Sequence, residues 1–101
     1  MKEPYYAVIF TSNRTEGDQG YGDMAIEMEN LAKSQPGFLG VESAKEAIGI
    51  TVSYWENLES IVRWKEHTDH ILAQIKGKTH WYEKYSVRIC RVEREYHFFK
   101  E

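Results

Sequence analysis

Apolar and polar positions change their period several times along the chain, and each change marks an element. Tyr5-Tyr6-Ala7-Val8-Ile9-Phe10-Thr11 is β-branched and aromatic and predicts a strand. Tyr6, Val8 and Phe10 share one side, and Tyr5, Ala7 and Ile9 the other. Both sides are apolar, so both are expected to be covered. Residues 12–22 hold three Gly with Asn, Asp and Ser and predict a loop. Tyr21, Met24, Met28 and Leu31 then recur at helical spacing, giving a helix over 23–35 that Pro36-Gly37 ends. Phe38 to Ser43 predicts a second strand, and a break over 45–47 leads into a third, Ile48 to Trp55. The two fit a hairpin. Asn57 can cap a second helix that runs to about Lys76 and stops at Gly77. With Leu58 at zero, Ile61, Trp64, Thr68, Ile71, Leu72 and Ile75 fall in one arc from about 220° to 320°. Residues 80–83 predict a short turn, and the last strand runs from Tyr85 to about Tyr96.

The order β-α-β-β-α-β is the split pattern of a ferredoxin-like α+β fold. It gives one four-stranded antiparallel sheet with two helices on one face, as a single domain over residues 1–101. Two helices cover only that face, whereas the first and last strands are apolar on both sides. A second copy packed sheet to sheet answers this, so a homodimer is expected.

Composition sharpens the fold and narrows the function. Fourteen aromatics stand against four Leu, which favours a sheet over a helical bundle. Apolar runs of only a few residues exclude a bilayer-spanning helix, so no membrane partner is expected. One cysteine, Cys90, excludes an internal disulfide and is read as a small buried residue. With no secretory pattern after Met1, the cytoplasm is the expected compartment. The net charge of −3 argues against nucleic acid as a partner. It is unevenly spread: residues 1–60 hold four Lys/Arg and ten Asp/Glu, and residues 61–101 nine and six.

Three stretches carry a family resemblance. They are Gln35-Pro36-Gly37-Phe38-Leu39-Gly40-Val41-Glu42; Ser53-Tyr54-Trp55 with Leu58-Glu59 and Trp64; and His70-Ile71-Leu72-Ala73-Gln74 with Gly77, Trp81-Tyr82, Tyr85 and Arg88. In order and spacing the chain resembles the antibiotic-biosynthesis-monooxygenase-like family along nearly its whole length. That resemblance implies a dimeric α/β barrel. It also implies either cofactor-independent oxygenation of a small aromatic compound, with the substrate itself reducing O₂, or haem degradation, in a family that also holds many members with no assigned function. The haem-degrading branch uses an Asn ending the first strand, a Trp, and a His ligand on the second helix. Asn13 and Trp64 match, but the expected ligand falls at Gln74, a poor haem ligand beside imidazole.

The expected site takes His70 as proton acceptor and Asn13 as its catalytic companion. Trp64, Tyr82 and Trp81 serve as walls, and Arg88 as an anchor. Each has a plainer alternative: aromatic core for the Trp and Tyr, and an ion pair for Arg88. His67 and His70 are spaced to share a metal, with Glu66, Asp69 or His80 as a third ligand, but a solvated helix face explains them better. No metal and no resident cofactor are expected, with haem as the alternative. A non-enzymatic small-ligand-binding, stress-related domain is the remaining reading.

Overall fold

The computed structural model describes residues 2–18, 20–75 and 81–100, with the backbone alone over 72–75. Its elements are β1 (Tyr5–Arg14), α1 (Tyr21–Lys33), β2 (Phe38–Lys45), β3 (Gly49–Trp55), α2 (Leu58–Ile75) and β4 (Tyr82–Val92). The expected order holds. The four strands form one antiparallel sheet, ordered β2-β3-β1-β4. The helix-ending Gly77 and His80, a possible metal ligand, lie outside the described residues.

The strands depart from expectation at their ends. β1 runs three residues further, through Ser12, Asn13 and Arg14, because β4 pairs with it down to Arg14↔Tyr82. That pairing satisfies the backbone of a polar stretch that reads as loop. Ser12 is buried there and faces Gly49, where a Cβ would come within 3.2 Å of its hydroxyl. The same pairing draws Tyr82 and Glu83 into β4, where a turn is expected. β4 stops early, at Val92, because its partner strand begins at Tyr5. The preceding Pro4 has no N–H to extend the ladder. Residues 93–100 leave the sheet with Tyr96, Phe98 and Phe99 exposed.

Helix α1 starts at Tyr21 because Asp18 caps it from outside. Its carboxylate accepts the Gly20 and Gly22 amides, each at 3.0 Å. At the far end, the Ser34 hydroxyl and the Gln35 amide side chain donate to the Leu31 carbonyl. Helix α2 is capped as expected: Asn57 Oδ1 accepts the Ser60 N–H at 2.8 Å. Of its expected apolar stripe, Ile61 is buried and Trp64 half-buried, while Leu58 and Val62 on the flank are exposed.

Side-chain alternation assigns the sheet faces. Tyr6, Val8, Phe10 and Ser12 of β1 share a face with Trp55, Ser53, Thr51 and Gly49 of β3. Both helices cover this face: Trp55 meets Trp64 of α2, and Tyr82, against Phe10, meets Tyr21 of α1. The other face carries Tyr5, Ala7 and Ile9 with Tyr54, Val52 and Ile50, and among the described residues no helix covers it. Tyr5 and Ala7 are buried there, but Ile50 is 42% exposed. Cys90, expected to be buried, is exposed on the same face, because β4 is an edge strand and neither helix among the described residues lies on that side. Among the described residues, no helix is long and apolar enough to cross a membrane.

The root of the C-terminal segment is pinned to β1. The Tyr5 hydroxyl donates to the Glu95 carboxylate, and the Glu95 amide donates to Glu3 at 2.8 Å. The Tyr5 contact, then His97, holds the Glu95 carboxyl below its ordinary value of 4.5. The same hydrogen bond pushes the Tyr5 phenol up to about 12. A lowered carboxyl pKa contributes stability that is present above 4.5 and lost as pH falls through the lowered value. The raised phenol pKa contributes stability present below 10.0 and lost as pH rises through about 12. Denaturant unfolding of Glu95→Gln against the parent should therefore show a deficit near neutral pH that closes at both extremes. A deficit independent of pH would assign the loss to packing instead.

Candidate functional site

The helix-covered face holds two aromatic groups. One forms around the end of β3. Trp55 meets Phe38 edge-on at 5.4 Å and Trp64 at 6.0 Å, and His67 lies against Trp64 at 5.7 Å. The other joins the far end of β1 to the start of β4. Phe10 stacks on Tyr85 at 5.2 Å, and Tyr82 contacts Phe10, Tyr85 and Tyr21 at 5.4–5.7 Å. Trp81 completes it against Tyr21 at 6.0 Å.

This second group combines apolar walls with directed polar atoms. The Tyr82 hydroxyl donates toward that of Tyr21 at 3.4 Å. Burial first, then the Tyr21 contact, pushes the Tyr82 phenol well above the ordinary range, so it stays protonated as a donor. Arg14 lies over the Tyr21 ring at 3.5 Å, and Lys45 approaches the same ring at 5.0 Å. The Arg14 guanidinium is already committed to backbone carbonyls, at 2.9 Å to Trp81 and 3.3 Å to Gly17 and Asp18. It thus braces the β1–α1 loop against the start of β4. Beside the rings, Val87 and Ile89 of β4 share this face and are exposed, so the aromatic surface opens toward that edge.

The expected site residues do not all meet. Trp81 and Tyr82 fall in one group and Trp64 in the other. His70 is exposed, roughly 150° round the helix from the centre of the packed arc. Arg88 is exposed on the helix-free face, across the sheet from Trp64, because it pairs with Ile9. Asn13 is half-buried at the end of β1, on the side opposite Arg14. The Gln74 side chain, at the expected haem-ligand position, lies outside the described residues. Among the described residues, no group of three His, Cys, Asp or Glu is placed to hold a metal. A cavity of about 280 Å³ beside Pro4 and Leu39 includes none of the expected residues.

Sequence reasoning missed Arg14, Tyr21 and Lys45. Tyr21 reads as one more apolar position of a helix, and the cations show no periodic signal. Only the antiparallel register brings them together.

Comparison with known proteins fits this architecture. No protein-family model matches the chain. The Bacillus subtilis protein YqjZ, itself uncharacterized, is 54% identical over 94 residues, covering 91% of this chain and 82% of YqjZ. The chain belongs to the YqjZ family. Solved structures extend the likeness to the fold. A protein of unknown function from Nitrosomonas europaea superposes with a TM-score of 0.70 at 9% identity, over 96% of this chain and 97% of that one. Another from the same organism, provisionally assigned as an antibiotic biosynthesis monooxygenase, gives 0.68 at 10% identity, over 89% and 90%. A Shewanella loihica protein provisionally assigned as a monooxygenase gives 0.58 at 13%, over 93% and 100%. This YqjZ-family chain therefore has the antibiotic-biosynthesis-monooxygenase-like fold.

Proposed function

We propose that the protein is a homodimeric, cofactor-independent monooxygenase acting on a small electron-rich aromatic compound. The observation that carries this is the half-buried aromatic surface of Phe10, Tyr82 and Tyr85, with the Tyr82 and Tyr21 hydroxyls meeting at its side. The provisional assignments of fold neighbours support it. A flat substrate stacks on Phe10 and Tyr85, and its oxygen accepts the Tyr82 O–H in place of the Tyr21 hydroxyl. The deprotonated substrate gives electrons to O₂. One oxygen atom replaces two hydrogens of a ring methylene as a carbonyl, and the other leaves as water. His67 stands with Trp64 in the other aromatic group and His70 is exposed, so the substrate proton passes to solvent. The apolar helix-free face supports the dimer.

Oxygen uptake with a panel of polycyclic phenols tests the reading. Tyr82→Phe should fold normally and lower kcat/KM by about tenfold, the worth of one directed hydrogen bond. Saturable binding without uptake would make the protein a ligand-binding domain, and the absence of both would overturn the site.

A further inference from the structure

The helix-free face is charged at its two edges and apolar between them. Arg88 of β4 pairs with Ile9 of β1, Ile9 with Val52 of β3, and Val52 with Glu42 of β2. These four residues form one row straight across the sheet, all on one face. A cation ends the row at one edge and an anion at the other, about 14 Å apart at the usual strand spacing. Both are exposed, and among the described residues neither has an ion-pair partner. Glu42 is held in place by the Tyr54 hydroxyl, which donates to its carboxylate at 3.1 Å.

The midpoint of this row lies between Ile9 and Val52. A two-fold axis parallel to the strands through that point turns the row onto itself in reverse. Arg88 of each copy then stands over Glu42 of the other, and Ile9 over Val52. The neighbouring row, Cys90-Ala7-Tyr54-Gly40, is complementary in size under the same operation. Tyr54 falls over Ala7 and Cys90 over Gly40. An axis perpendicular to the strands would instead set β4 on β4, with Arg88 against Arg88. Like charges disfavour that arrangement.

We propose that Arg88 and Glu42 form two symmetry-related ion pairs between copies of this chain, fixing a sheet-to-sheet dimer whose axis runs along the strands. This rests on the dimer in the proposed function and adds its register. The partner is a second copy, because the charges at the two edges complement each other only in reverse order. Aligned sheets cross at about 30°, a displacement at the edges that an Arg side chain can follow. It also gives the exposed Cys90 and Ile50 a cover that the single chain lacks.

Charge reversal tests it. Mass and dimer dissociation are measured by light scattering and sedimentation for the full chain and its variants. Arg88→Glu and Glu42→Arg each place two like-charged pairs in the dimer, and each should raise Kd about 100-fold. The double variant R88E/E42R restores both attractions and should return to within about threefold of the parent. Arg63→Glu, on the exposed side of α2, is the control and should change nothing. Circular dichroism should show each variant folded, since both positions are exposed in the single chain. A parent that stays monomeric at every concentration overturns the dimer and this pairing together. A dimeric parent with unaffected single variants, or a double variant no better than the singles, overturns the pairing alone.

Discussion

Trp55→Ala should destabilise the protein by about 3–5 kcal/mol, as truncation of a large core aromatic does. Trp55 closes β3 with no exposed surface, the largest fully buried side chain among the described residues. Its ring meets Phe38 on β2 and Trp64 on α2, and its indole N–H donates to the Ser53 hydroxyl at 2.9 Å. Truncation removes this link between two strands and a helix, and leaves a cavity that three elements would have to move to fill. A domain of this size has roughly 5–15 kcal/mol in total. At about 4–8 °C per kcal/mol, the melting temperature should fall by at least about 12 °C. Trp55→Phe keeps an aromatic ring in the site and should lose less than half as much. A loss below about 1 kcal/mol for Trp55→Ala would mean that the centre of the core lies elsewhere.

Trp55 also shows what could be read from the chain alone. Its place at the end of an alternating strand is plain in the sequence, and so is the stripe that puts Trp64 on the inner side of α2. Local spacing fixes both. Their contact is a tertiary fact, but the fold implied by the element order brings those two elements together. Arg88 shows the opposite case. Alternation groups it with Ser86, Cys90 and Val92, yet local pattern cannot say which of two largely apolar faces the helices cover. Only the register with β1, and Trp55 meeting Trp64 on the far side, puts Arg88 on the open face. Placing it beside Trp64 in one site fails for that reason.

The ends of β1 and β4 were illegible for a related cause. Ser12, Asn13 and Arg14 have low strand propensity, and propensity yields where a neighbouring strand supplies the backbone partners. Arg14, drawn into the strand, then reaches Tyr21 and the carbonyls around the aromatic site. The feature that best orders that site therefore lies where sequence patterning expects a loop.

Gly37→Ala should cost about 2–4 kcal/mol, from backbone strain and overpacking together. Pro36-Gly37 reads as a helix stop, and the structure shows a tighter constraint. Gly37 has φ of 84°, in the left-handed region that an L side chain enters only with strain. An added Cβ would press on the Ser60 hydroxyl and lie 2.8 Å from Ser60 Cβ. Neither side can yield easily. The Gly37 carbonyl accepts the Glu56 N–H at 2.8 Å, and the buried Ser60 sits in the first turn of α2 beneath its Asn57 cap. The glycine thus joins the α1–β2 turn to the start of α2. Gly20→Ala provides the comparison: φ is 85° there, but among the described residues beyond its chain neighbours nothing lies within 4 Å of the added carbon. It should show the backbone term alone, about 1–2 kcal/mol. Denaturant midpoints of both variants separate the two contributions, since only Gly37 has a neighbour in the way. Equal losses would remove the Ser60 contact from the account and leave backbone conformation as the sole reason for a glycine at 37.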